Sequence, residues 1–138
     1  MVNRVTLIGR LGRDPEMRYT PSGAAVARFS LATDENRKDQ QGNWQQETTW
    51  HNIVVWGQSA ERASETLKKG TLVYIEGRIS VRNWEDKEGQ KRTSFEIVAF
   101  SFRNLSPKPG SGENFGETSH SHAEPTQGQP PMDEDLPF

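Results

Sequence analysis

The 138-residue chain has no cysteine. That excludes a disulfide framework, a thiolate nucleophile and a cysteine-ligated zinc site. It also lacks any apolar run approaching the roughly 20 residues of a membrane span. The N-terminus, Met1-Val2-Asn3-Arg4-Val5, leads straight into a strand-like pattern with no apolar segment ending in a cleavage site, so a cytoplasmic location is expected. Histidine is scarce: of three, only His51 precedes residue 106. Catalysis needs a nucleophile and base, an acid pair or a metal set. No partner for His51 is visible, so it reads as structural and no enzyme is expected. Gly9-x-x-Gly12 is not followed by Gly-Lys-Ser/Thr and reads as a strand bend, not a phosphate cradle. His120-x-His122 offers at most weak metal binding in a solvated segment, so neither a metal nor a cofactor is expected.

The most informative stretch present is Thr48 to Trp56. Two sets alternate in it, Trp50, Asn52, Val54 and Trp56 against Thr49, His51, Ile53 and Val55, which with its aromatic and β-branched content makes it a strand. One set must face away from the core. If it is the tryptophan set, two indoles stand about 20 Å apart on an open face, at roughly 3.3 Å per residue, as a surface that stacks unpaired bases requires. The alternative is that both are core residues.

The rest of the body is also strand-rich. Val2 to Leu11 reads as a first strand and Ala24 to Thr33 as a second, with Ala27, Phe29 and Leu31 on one side. Asp34 to Glu47 is polar, holds Gly42-Asn43 and reads as a long loop that carries an exposed Trp44. Ser59 to Lys69 changes to helical period, with Ala60, Ala63 and Leu67 on one face, Ser59 as N-cap and Gly70 as stop. Thr71 to Trp84 alternates again, with Val73, Ile75, Gly77, Ile79 and Val81 inward and Tyr74, Glu76, Arg78, Ser80, Arg82 and Trp84 outward. Gly77 suggests a mid-strand bend. Thr93 to Leu105 is the last strand. This order predicts an all-β fold, a five-stranded Greek-key barrel of the OB type with one short helix between strands 3 and 4. A five-stranded sandwich is the alternative.

Charge divides the chain. Residues 1–105 hold 16 Lys and Arg against 13 Asp and Glu, whereas residues 106–138 hold 1 Lys against 6 acids and six of the eight prolines. A mildly basic body suits a polyanion only where its cations cluster. They do so on the fourth strand, where Arg78 and Arg82 interleave with Tyr74 and Trp84, the combination that meets phosphates and stacks bases. The predicted division is 1–105 barrel, 106–131 disordered linker and 132–138 acidic tip. The linker has too few large apolar residues to offset its ordering entropy, and its expected span is about 25 to 30 Å. The tip, Asp133-Glu134-Asp135-Leu136-Pro137-Phe138, suits a hydrophobic and basic pocket on another protein.

Several motifs then converge. Gly9-x-Leu11-Gly12-x-Asp14-Pro15-Glu16, Arg18-Tyr19, Ala32-Thr33, Thr49-Trp50-His51, Val73-Tyr74-Ile75-Glu76-Gly77 and the terminal Pro137-Phe138 resemble the bacterial single-stranded DNA-binding protein (SSB) family. The resemblance covers nearly all of residues 1–105 and the last six. It implies a homotetramer that wraps single-stranded DNA without sequence preference or enzymatic activity, in the cytoplasm with the nucleoid and away from any membrane. It places Trp50, Trp56 and Trp84 at base-stacking positions and Arg4, Arg18, Lys69 and Arg82 at backbone-contacting ones. Tyr74, Glu76 and His51 fall at subunit contacts, and the tip falls where replication, recombination and repair proteins dock. The chain departs from the pattern at Trp56, where Phe is common, and at Asn36 and Arg37, where a further aromatic is usual. An OB-fold primosome-type accessory factor would share the body but has less need of the tip.

Overall fold

In the computed structural model, residues Met1–Lys108 are described. Six strands and one helix follow in the order β1 (Val5–Leu11), β2 (Glu16–Tyr19), β3 (Ala25–Lys38), β4 (Trp44–Trp56), α1 (Gln58–Thr66), β5 (Leu72–Glu85) and β6 (Lys91–Asn104). The sheet runs β1-β5-β6-β4-β3-β2, and β1 also pairs with β3, so five strands close into a barrel and β2 extends its rim. One pairing, β4 with β6, is parallel; the rest are antiparallel. This is the predicted Greek-key barrel, with its helix between the third and fourth barrel strands.

The inward residues of each strand meet in one core. Phe29, Leu31, Ile53, Val55, Val73 and Ile75 are almost fully buried, and α1 adds Ala60 and Ala63, with Leu67 following. Each large side chain removed from water contributes about 1.5–3 kcal/mol, so this set holds the barrel closed. The Arg62 guanidinium lies 4.5 Å from the Phe102 ring centroid, tying the helix to β6.

Several boundaries differ from expectation. The polar loop at Asp34 to Glu47 is mostly strand: β3 and β4 continue their ladder to Lys38↔Trp44, leaving only Asp39 to Asn43 as the turn. Cross-strand pairing, not composition, decides this stretch. The helix starts at Gln58 after Gly57 as N-cap, not at Ser59, and ends before Lys68 and Lys69. Gly57 has φ 68°, a backbone that glycine adopts most readily. Ile79 and Val81 alternate as predicted but are about half exposed, because β5 and β6 run past the barrel as a second arm. The strand at Glu16–Tyr19 carries too short a pattern to be read from sequence. At the end of β6, the N–H groups of Leu105 and Leu72 bond to Leu72 O and Ser106 Oγ respectively, both at 2.8 Å. From Pro109 onward the expected disordered linker and acidic tip lie outside the described residues, as do His120 and His122.

Gly77 marks the one register shift in the β5–β6 ladder, between Glu76 and Gly77. A Cβ there would stand 2.3 Å from the Val98 carbonyl oxygen, a backbone atom that cannot swing aside. Gly77→Ala is therefore expected to destabilise the fold by about 1–3 kcal/mol, read as a lower urea midpoint with the same denaturant slope. An unchanged midpoint would mean that the bulge tolerates a side chain.

Candidate functional site

Strand alternation places the outward residues of β3, β4, β5 and β6 on one continuous face. On β4 these are Trp50, Asn52, Val54 and Trp56, paired across to Ala32, Ser30, Arg28 and Val26. Arg78, Ser80, Arg82 and Trp84 of β5 pair with Val98, Glu96, Ser94 and Arg92 of β6. The parallel pairing Val54↔Val98 joins the two halves. A hollow of about 550 Å³ runs over this face, with Val26 and Val54 as its buried floor and Arg18, Arg78, Arg82 and Trp56 around it.

The indoles are open to solvent. Trp50 is 60% exposed, Trp56 45% and Trp84 51%, so the tryptophan set is the outward one. Trp50 has a defined seat: a Cβ on Gly12 would lie 2.4 Å from its ring and 2.8 Å from Ser30 Oγ. Gly12 thus does more than bend the chain, since its bare backbone leaves the room that the indole ring occupies.

Charge on this face is mixed in an ordered way. Arg28 donates to Glu96 Oε1 at 2.5 Å across 68 residues of sequence. This pair is the least exposed of the salt bridges among the described residues, and its carboxylate is the better covered partner. Neither residue stood out as a site in the sequence: Arg28 is one cation among many, and its partner emerges only when β3 and β6 are brought around β4. Arg18 leans on Glu16 at 3.5 Å in a pair exposed on both sides, which holds it weakly. The rim therefore offers Arg18, Arg78 and Arg82, while Arg28 is committed to its carboxylate.

Other expected residues lie elsewhere. Arg4 stands on the exposed segment before β1, and Lys69 in the turn after α1, where its N–H bonds to Asp14 Oδ1 at 2.8 Å; neither lines the hollow. Tyr74 and Glu76 are half-buried on the outer face of β1, β5 and β6, beside Ile8 in a hollow of about 570 Å³. His51 is not with them. Its Nε2 lies 2.9 Å from Thr33 Oγ1, at the barrel mouth beside Ile79 and Phe95. Burial pushes the His51 imidazolium pKa below its ordinary value and favours the neutral ring. No group of three or more potential ligand side chains able to hold a metal occurs among the described residues.

Both arms end in the same device. Asp39 Oδ1 accepts the N–H groups of Gln41 and Asn43 at 2.9 and 2.8 Å, and Asp86 Oδ1 those of Glu88 and Gln90 at 3.0 and 2.9 Å. Gly42 and Gly89 close the turns with φ 82° and 77°. These clamps hold in place the strand ends that bear Trp44 and Trp84.

Comparison with known proteins places this geometry in context. A profile described as the single-strand binding protein family matches residues 2–105. The chain is 47% identical over 130 residues to single-stranded DNA-binding protein 1 of Chlorobaculum tepidum, covering 94% of this chain and 80% of that one. It is 50% identical over 115 residues to the single-stranded DNA-binding protein of Neisseria meningitidis serogroup A, covering 83% of this chain and 64% of that relative. A crystal structure of a deletion mutant of the single-stranded DNA binding protein from Thermus aquaticus superposes with a TM-score of 0.69 at 34% identity, covering 76% of this chain and 51% of that one.

The turn clamps titrate in a defined direction. The Asn43 N–H holds the Asp39 carboxyl below its usual value of 3.8, and the Gln90 N–H with the Arg92 guanidinium does the same for Asp86. Their support is complete above pH 3.8 and is lost as pH falls through the lower folded-state values. A carboxyl-carbon NMR titration should find both midpoints below 3.8. Asp86→Asn should loosen the Glu88 and Gln90 amides alone, leaving the Asp39 midpoint in place.

Proposed function

The chain belongs to the single-strand binding protein family, and from that premise we propose that it binds single-stranded DNA without reading its sequence, acting as a non-catalytic coat. The single observation that carries this reading is the placement of exposed Trp50, Trp56 and Trp84 on the same outward side of the sheet as Arg78 and Arg82, with Arg18 beside Trp56 in the hollow. An indole presents a π-face to any base, and a guanidinium meets any phosphate, so the pairing holds a strand without selecting among bases. The strand runs along β4, with Trp50 and Trp56 under bases separated by others along the strand and the arginines of β2 and β5 beside its backbone. Trp84 continues the track on the second arm. Arg4 and Lys69 are backbone contacts farther along, where a strand leaves one barrel for the next.

The assembly is a homotetramer. The half-buried Tyr74 and Glu76 with exposed Ile8, and separately the neutral His51 at the barrel mouth, are its subunit contacts. Residues 1–105 form the DNA-binding domain, 106–131 a linker and 132–138 the partner-binding tip. Through Asp133, Glu134, Asp135, Leu136, Pro137 and Phe138 the chain recruits replication, recombination and repair proteins. The work is cytoplasmic, at the nucleoid. No helix among the described residues is long and apolar enough to cross a membrane.

Titration with oligothymidylate should quench tryptophan emission, and log K should fall with log[salt] at a slope of about −0.7 per phosphate neutralised. Trp56→Ala is expected to cost about 1–3 kcal/mol of affinity. Unquenched emission at low salt, or equal affinity for duplex, would overturn the reading. Deleting residues 133–138 should abolish partner recruitment while leaving DNA affinity intact or stronger, as pull-down and titration in parallel would register.

A further inference from the structure

Four arginines line the hollow over the sheet, Arg18, Arg28, Arg78 and Arg82, and Glu96 is the one acid among the described residues that line it. Arg28 has another acid directly opposite on β2, since Glu16↔Arg28 is a register pair, yet Glu16 leans on Arg18 instead. The Arg28 side chain reaches the other way, across β4, where its register partner is the buried Val54. Its Nη1 donates to Glu96 Oε1 on β6 at 2.5 Å. The Glu96 side chain is 14% exposed and that of Arg28 38%, so the acid is seated while the guanidinium stays within reach of whatever lies in the groove.

A plainer role is a strut that ties β3 to β6 where the β4–β6 ladder is only two register pairs long. Two apolar side chains would serve a strut equally well, and nothing in that role calls for a hollow shared with three further arginines and Trp56. A strut is also felt in stability alone. A carboxylate at this spot has a second effect, because a phosphate approaching Arg28 must displace a charge-assisted hydrogen bond already made. It would also leave Glu96 without its partner, beside a second negative charge.

We propose that Glu96 holds on Arg28 the place that a DNA phosphate would take, and so acts as a brake on affinity that keeps a bound strand releasable. The inference rests on the single-strand reading and deepens it by naming a residue that sets how tightly the groove holds. Arg28 makes no phosphate contact in the complex, and the rim arginines make theirs without it. Affinity within one interface varies mostly through the dissociation rate, so the brake acts on release.

The test uses the full chain and an oligothymidylate long enough to cross one barrel face, titrated over a range of salt. Glu96→Gln, close in shape to the original, should bind about 3- to 10-fold more tightly at low salt and release more slowly into a competitor chase. Its slope of log K against log[salt] should steepen by about 0.7, the mark of one more phosphate neutralised. Glu96→Asp, which keeps the charge but draws the carboxylate back, should show a smaller gain of the same sign. Glu65→Gln, an equal change of charge on an exposed position of α1 outside the hollow, should leave the slope as it was. Adding Arg28→Gln to Glu96→Gln should return affinity and slope to those of the unaltered protein. Crystal structures of the two complexes should show Arg28 on Glu96 in the unaltered protein and on a phosphate in Glu96→Gln. Unchanged affinity and slope in Glu96→Gln, a gain that survives the loss of Arg28, or an unaltered complex with Arg28 already on a phosphate would each overturn the brake. If the unaltered protein binds no oligothymidylate at all, the single-strand reading itself fails, and the brake with it.

Discussion

The two-residue period of strands in a closed sheet is the constraint on which the remainder depends. Once Phe29, Leu31, Ile53, Val55 and Ile75 are committed to the interior, their neighbours along each strand have nowhere to go but outward. Burial of the inward set, at about 1.5–3 kcal/mol for each large side chain, far exceeds the penalty of leaving three indoles half exposed. The open aromatic face is therefore a by-product of core packing as well as the proposed binding surface. Soluble proteins seldom leave large contiguous apolar surface uncovered without a ligand to cover it.

Electrostatics then shapes what the face can hold. An unbroken row of arginines would bind any polyanion tightly and repel itself. Placing Glu96 beside Arg28 neutralises the centre of the groove and leaves its positive charge at the rim, on β2 and β5. Val26 and Val54 beneath these groups make the floor of the groove apolar. Phosphates are thus favoured at the edges and flat rings near the centre.

Much of this was legible in the chain itself, because alternation is a local property. The inward triad Ala27, Phe29 and Leu31, the opposed sets around Trp50 and the helical spacing of Ala60 and Ala63 all appear where periodicity places them. The bend at Gly77 appears as a register shift at that glycine. Features that depend on partners distant in sequence were not legible. Composition favoured a loop at Asp34 to Glu47, but pairing from Asp34↔Thr48 outward made it strand. Two of the five residues predicted inward on β5, Ile79 and Val81, are exposed because the strand outruns the barrel, and no pattern within a strand records where the core ends. The Arg28–Glu96 pair and the seat of Trp50 on Gly12 join segments that meet only in three dimensions.

The matching aspartate-clamped tips show how such arms vary in length. A turn that closes itself through one carboxylate and one glycine travels with whatever ladder lies behind it, so an arm can grow or shrink without disturbing its end. The increments are quantised, however. Removing two residues from each strand shortens the arm and preserves its faces, whereas excising a single residue between Trp44 and Trp50 would turn the outer indole to the opposite side. Reach is adjustable in this architecture, but only in even steps.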